Sequence, residues 1–221
     1  MSRIVLVVLA LVLAACQSAP AAPVTPQPPL KVSVSPSLTW LEGDLAACAA
    51  SEGIAVQRAD DDPAASGVIA LQLGAPQDGR FAAVLGQEKV VVIVHPDNPQ
   101  PELTRDDALA IFSGRQKSWP DGTEILVWGL PETSDAHTAM LTAGFSFAGA
   151  GLAASPQAML HAVASDPAAI GYLPARWVDV SVRALEITGM PVEAPILAVS
   201  AQEPQGGARA LLVCLQEKIG R

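Results

Sequence analysis

Ser134, Asp135 and His137 fall within four consecutive positions, and a hydroxyl, an acid and an imidazole are the parts of a hydrolytic triad. A triad needs its base set against the nucleophile by spatial neighbours, which near-consecutive positions on one helix do not provide. No Gly-x-Ser-x-Gly turn accompanies them, so they read as the polar first turn of a surface helix, and a surface hydrolase stays a remote alternative. His95 with Asp97, and the run Asp60, Asp61 and Asp62, could ligate a metal. Neither an Asp-x-Asp-x-Asp-Gly loop nor a His-x-x-x-His pair occurs, so the acidic run reads as a solvated turn. No metal or other cofactor is expected. Trp119 and Trp128 are expected in the core, while Tyr172 and Trp177 could either pack or line a cleft.

The three cysteines divide by position. Cys16 closes Leu13-Ala14-Ala15-Cys16, after one basic residue, Arg3, and an apolar run over residues 4–15. Such a run is too short to span a bilayer and reads as the core of a signal peptide. The small residues before Cys16 resemble the bacterial lipobox, so residues 1–15 are expected to be removed and Cys16 to be lipidated. Residues 17–30 hold five prolines and no charge, an extended tether. The domain is therefore expected at residues 31–221, just outside a membrane. In that oxidising setting Cys48 and Cys214 are an even pair, and spacing alone leaves open a bridge or two buried thiols.

The formal net charge of the 221 residues is -9, and loss of Arg3 with the leader moves it to -10. A chain this acidic lacks the footprint of a nucleic-acid binder. With 50 % apolar and 16 % charged residues it is also too hydrophobic for a disordered chain. Only 4 % of residues are aromatic, so Ala, Val and Leu must fill the core, which suits α/β layering.

The elements that must position these residues alternate. KVSVS (31–35) has strand alternation and stops at Pro36. Residues 38–51 put Leu38, Leu41, Leu45 and Cys48 at helical spacing before Gly53. Strands are expected over 54–59, 68–73 and 90–96, the last with five β-branched aliphatics in a row, as in a strand buried on both faces. Thr104 and Asp107 form a capping box opening a helix that stops at Gly114. A strand over 122–128 precedes a helix capped by Thr133 or Ser134. Ser155-Pro156 opens the next helix, 169–174 is a strand, and RALEI and PILAVS are further strands. A terminal amphipathic helix covers 208–219.

VVVIVHPDNP, LTRDDALAIFSGRQKSWPDG and PAAIGYLP, in this order and spacing, resemble the type 2 periplasmic binding proteins, in the branch of phosphate-binding proteins of ABC transporters. The resemblance implies an α/β fold of two lobes with two interlobe crossings, near residues 95–99 and 174–180. Lobe one would hold about 31–95 and 180–221, and lobe two about 96–179.

A tetrahedral oxyanion is held by unsatisfied amides at helix N-termini and by neighbouring hydroxyls, so local donors can serve even in an acidic protein. Two segments fit. Ser35, Ser37 and Thr39, where the first strand turns into the first helix, resemble the family's first ligand loop. Thr133, Ser134 and Asp135 stand where the family usually carries an Arg followed by Ser-Gly-Thr. The Arg position is here Gly129 or Leu130, and Asp135 would repel a dianion unless it accepts a ligand proton. Both segments also suit plain helix caps. The resemblance implies a membrane-anchored, extracytoplasmic binding protein that catalyses nothing. It would capture a phosphate-like anion or other small solute for an ABC permease, with a ligand-free sensor or interaction domain as the alternative.

Overall fold

The computed structural model describes residues 28–59, 67–75, 79–185, 187–188 and 191–220. Cys16, the leader, most of the tether and Asp60, Asp61 and Asp62 lie outside them.

The strands, most deeply buried at β3, β8 and the second half of β4, assemble into one mixed sheet. β1 (Leu30–Val34) pairs in parallel with β2 (Val56–Arg58) on one side and β3 (Val68–Leu73) on the other. β11 (Val192–Ser200) lies antiparallel between β3 and β4 (Phe81–Val94). Beyond β4 come β8 (Ala169–Pro174), antiparallel to it, then β6 (Leu126–Gly129) and β7 (Gly151–Leu152), which continue in parallel. The order is β2-β1-β3-β11-β4-β8-β6-β7. β5 (Leu103–Thr104) and β10 (Ile187–Thr188) form a separate parallel pair.

β4 is longer than the expected 90–96. Its first half, Phe81–Val90, pairs with β11, with a register shift beside Gly86; its second half, Val90–Val94, pairs with β8. β9 (Arg183–Leu185) takes the edge that β11 leaves, opposite Val92–Val94. Partner exchange along β4 thus falls at Val90.

Helices start where the capping residues put them. Thr104 Oγ1 accepts the Asp107 N–H at 3.2 Å at the head of α2 (Arg105–Phe112), and Ser155 Oγ accepts the Ala158 N–H at 3.2 Å at the head of α4 (Pro156–Ala164). The helix expected over 38–51 is split: a 3₁₀ segment, Pro36–Leu41, tightens the entry to α1 (Glu42–Ser51). Gly171 lets α4 lie on β8, because a Cβ there would collide with the Met159 sulfur. The core runs through Ile93, Ile111, Met140, Ile170, Leu173 and Ile196, all buried, and Phe112 meets Phe145, Phe147 and Tyr172 edge-on. Cys48 in α1 and Cys214 in α5 (Gly207–Ile219) are joined, with Cα atoms 5.8 Å apart. No helix among the described residues is long and apolar enough to cross a membrane.

Candidate functional site

β1 and β3 are parallel and deliver their C-terminal ends to one edge of the sheet, where ligands of open α/β sheets settle. Val34 stands beside Leu71, and the Ser35 N–H donates to the Leu71 carbonyl at 2.9 Å. Then β1 peels away. Ser35 is extended (φ -61°, ψ 150°), Pro36 occupies the first helical position, and the 3₁₀ segment packs back against β3.

The hydroxyls differ in what they do here. Neither Ser35 Oγ nor Ser37 Oγ has a hydrogen-bond partner although both atoms are buried, and Ser37 as a residue is 0 % exposed. Buried polar groups are nearly always paired, so two orphans two residues apart mark this turn. Thr39 is turned inward on its own helix, its hydroxyl donating to the Pro36 carbonyl at 3.3 Å. Trp177, left open by the sequence, donates its indole N–H to the Ser37 carbonyl at 3.0 Å.

The second segment meets this edge from the other side. α3 (Asp135–Thr142) packs on β3, β11 and β4. Thr133 is exposed, and Ser134 holds the N-cap position without a capping bond from its side chain. Asp135 does two jobs: Oδ1 accepts the Ala136 N–H at 2.9 Å, and Oδ2 accepts the Leu73 N–H of β3 at 2.8 Å. Asp135 and Ser35–Ser37 therefore converge on the ends of β3 and β1, while Thr133 and Thr39 do not share in that contact.

His137 points elsewhere. It is buried, and its Nδ1 lies 2.5 Å from the Tyr172 hydroxyl, which also accepts the Leu130 N–H at 2.9 Å. Burial holds the His137 pKa below its ordinary value, which favours the neutral ring beside the Tyr172 hydroxyl. Burial likewise pushes the Tyr172 hydroxyl well up, keeping it protonated. Ser134, Asp135 and His137 thus have three different sets of partners, and Tyr172 is a core group rather than a stacking platform. Leu130, which with Gly129 stands at the expected Arg position, is buried with its N–H on Tyr172.

Residues that the sequence did not single out gather beside Ser37. Arg176 lies over the Trp40 ring at 4.3 Å, with Nε 3.6 Å from Glu88 Oε2 and Nη2 donating to the Ile219 carbonyl at 3.2 Å. Glu88 is 3 % exposed; burial raises its pKa, and the Arg176 charge opposes that rise. The only sequence signal was position: Arg176 and Trp177 follow β8 directly, where the chain leaves the sheet. Chemically, the edge offers the unpartnered hydroxyls of Ser35 and Ser37 to an acceptor, while the Leu73 N–H is already taken by Asp135. Among the described residues no cluster of three His, Cys, Asp or Glu could hold a metal.

No protein-family model and no curated protein sequence matches the chain. Solved structures do. A protein described as a phosphate ABC transporter substrate-binding protein from Clostridium perfringens, with bound phosphate, superimposes with TM-score 0.75 at 17 % identity, covering 85 % of this chain and 93 % of its own. An ABC-type phosphate transport receptor from Vibrio cholerae gives 0.62 at 16 % identity over 85 % and 93 % of the two chains. The reduced OxyR regulatory domain from Pseudomonas aeruginosa gives 0.63 at 16 % identity over 86 % and 95 %. At these identities the likeness is one of fold: this α/β chain has the type 2 periplasmic binding-protein fold. Phosphate-binding transport proteins and regulatory domains share it, so the phosphate-binding branch that the motifs resemble is not singled out.

Proposed function

We propose that this protein is an extracytoplasmic, lipid-anchored binding protein that captures a small oxyanion where β1 and β3 end and presents it to an ABC permease. In this reading Cys16 carries the lipid, residues 16–30 are the tether, and two lobes (about 31–95 with 180–221, and 96–179) close on the solute. One observation carries it: Ser35 and Ser37 present buried hydroxyls without partners at the strand edge that α3 faces. With a net charge of -10 on the mature chain, such local donors must work against the field of the whole protein.

The alternative is a sensor or interaction domain that keeps the fold without a solute, and the Asp135 contact to Leu73 favours it, since a protein group already uses one donor of that edge. Titration calorimetry and thermal unfolding with phosphate, sulfate and molybdate separate the two. Capture predicts saturable heat, and a gain of about 2.7 kcal/mol at one hundred times the dissociation constant. Ser37→Ala should weaken that binding about tenfold while changing stability little, because its hydroxyl has no partner to lose. No heat and no shift with any of the three anions would leave the sensor reading in place.

A further inference from the structure

In a β-strand the N–H and C=O of one residue point to the same side, and successive residues alternate. The Leu71 carbonyl faces β1, where it accepts the Ser35 N–H. The Leu73 N–H therefore faces the same way, while the Gly74 N–H faces β11 and donates to the Pro195 carbonyl at 3.0 Å. Since β1 has already turned off at Ser35, after pairing only as far as Val34 with Leu71, Leu73 presents a strand donor whose ladder partner is gone. A backbone donor in such a place must be matched by some acceptor. The acceptor is a carboxylate 62 residues away, Asp135 Oδ2 at 2.8 Å.

We propose that Asp135 is a built-in occupant of this edge: its carboxylate takes the Leu73 N–H that an oxyanion would take, and a solute must displace it to bind. The inference rests on the proposed capture reading and deepens it, since it sets what the site admits. A carboxylate oxygen and a phosphate or formate oxygen are the same kind of acceptor, so they compete for one donor. While Asp135 stays, its charge also repels an incoming anion. Displacement frees the first turn of α3 from β3, which links solute arrival to movement of α3. The role differs from a local contact within α3, because the bond from the neighbouring Ala136 N–H goes to the other oxygen, Oδ1, and the N-cap position belongs to Ser134.

The test is replacement of the tethered carboxylate by a free one. Asp135→Ala should unfold at lower temperature than wild type. Millimolar formate or phosphate should recover the loss, while chloride at matched ionic strength should not. Thr104→Ala, which removes a cap at the head of α2, serves as a control and should show no such recovery. Asp135→Asn, which retains an acceptor for Leu73 without the charge, provides a form closer in stability to wild type. Both Asp135 variants should bind phosphate about tenfold or more tighter than wild type. Recovery by formate with no phosphate binding in any form would support the occupant and refute phosphate capture. Wild type binding phosphate more tightly than both variants would overturn the occupant and leave capture standing. Equal recovery of Thr104→Ala would also overturn it.

Discussion

Replacing Cys48 and Cys214 together by alanine cuts a link between the first and last helices, across a sequence separation of 166. A cross-link stabilises chiefly by restricting the unfolded chain, and the loop-entropy relation for a closure of this length gives about 5 kcal/mol at 25 °C. Cys48 is fully buried, so the missing sulfur contacts add to the cost, by about 1 kcal/mol. For a domain of this size each kcal/mol moves the midpoint by about 2–4 °C, so a fall of roughly 10–20 °C is expected. Urea unfolding is the more telling assay. The midpoint concentration should drop, and the slope m should rise, because the freed denatured chain expands and exposes more surface. Wild type unfolded in the presence of a thiol reductant should follow the curve of the double variant. A loss under about 1 kcal/mol with m unchanged would refute the reasoning, showing that α1 and α5 are held by their packing and that the denatured chain is compact without the bridge.

Tyr172→Phe should cost about 2–6 kcal/mol, since it strands two buried groups, the Leu130 N–H and His137 Nδ1, each worth about 1–3 kcal/mol when unpaired; a double-mutant cycle with His137→Leu should show strong coupling. Stability should also depend on pH through His137. Its folded pKa lies below the ordinary 6.5, so the unfolded chain binds the proton first, and stability present above that value is lost as pH falls from it toward the folded pKa. Glu88 acts with the opposite sign: its raised pKa gives stability that is full below 4.5 and lost as pH rises through the folded value. Urea titrations between pH 8 and 5 in a Glu88→Gln background isolate the His137 slope, which His137→Asn should abolish.

Some elements were legible to the residue. Val68–Leu73 and Ala169–Pro174 are apolar runs that become strands with nearly every side chain buried, and Thr104 and Ser155 announce their helices through hydroxyls that act within three residues. The first half of β4 was not legible. Phe81–Lys89 mixes small, charged and apolar residues, because its burial alternates irregularly around the register shift and its partner, β11, comes more than a hundred residues later. β5, β7 and β10 are two residues each, and only their partners make them strands.

The site divides along the same line. Residue types by themselves determined that hydroxyls and an acid stand at two chain turns, because caps and turns depend on neighbours a few positions away. They also left both roles open, cap and ligand contact. Which donors those groups meet was decided by the sheet: β1 ends two residues before β3 does, and the orphaned Leu73 N–H is reached by Asp135. His137 and Tyr172, Arg176 and Glu88, and Cys48 and Cys214 are likewise pairs across the chain. The physical reason is that a buried polar group must find a partner wherever the fold brings one, and that requirement carries no local pattern in the sequence.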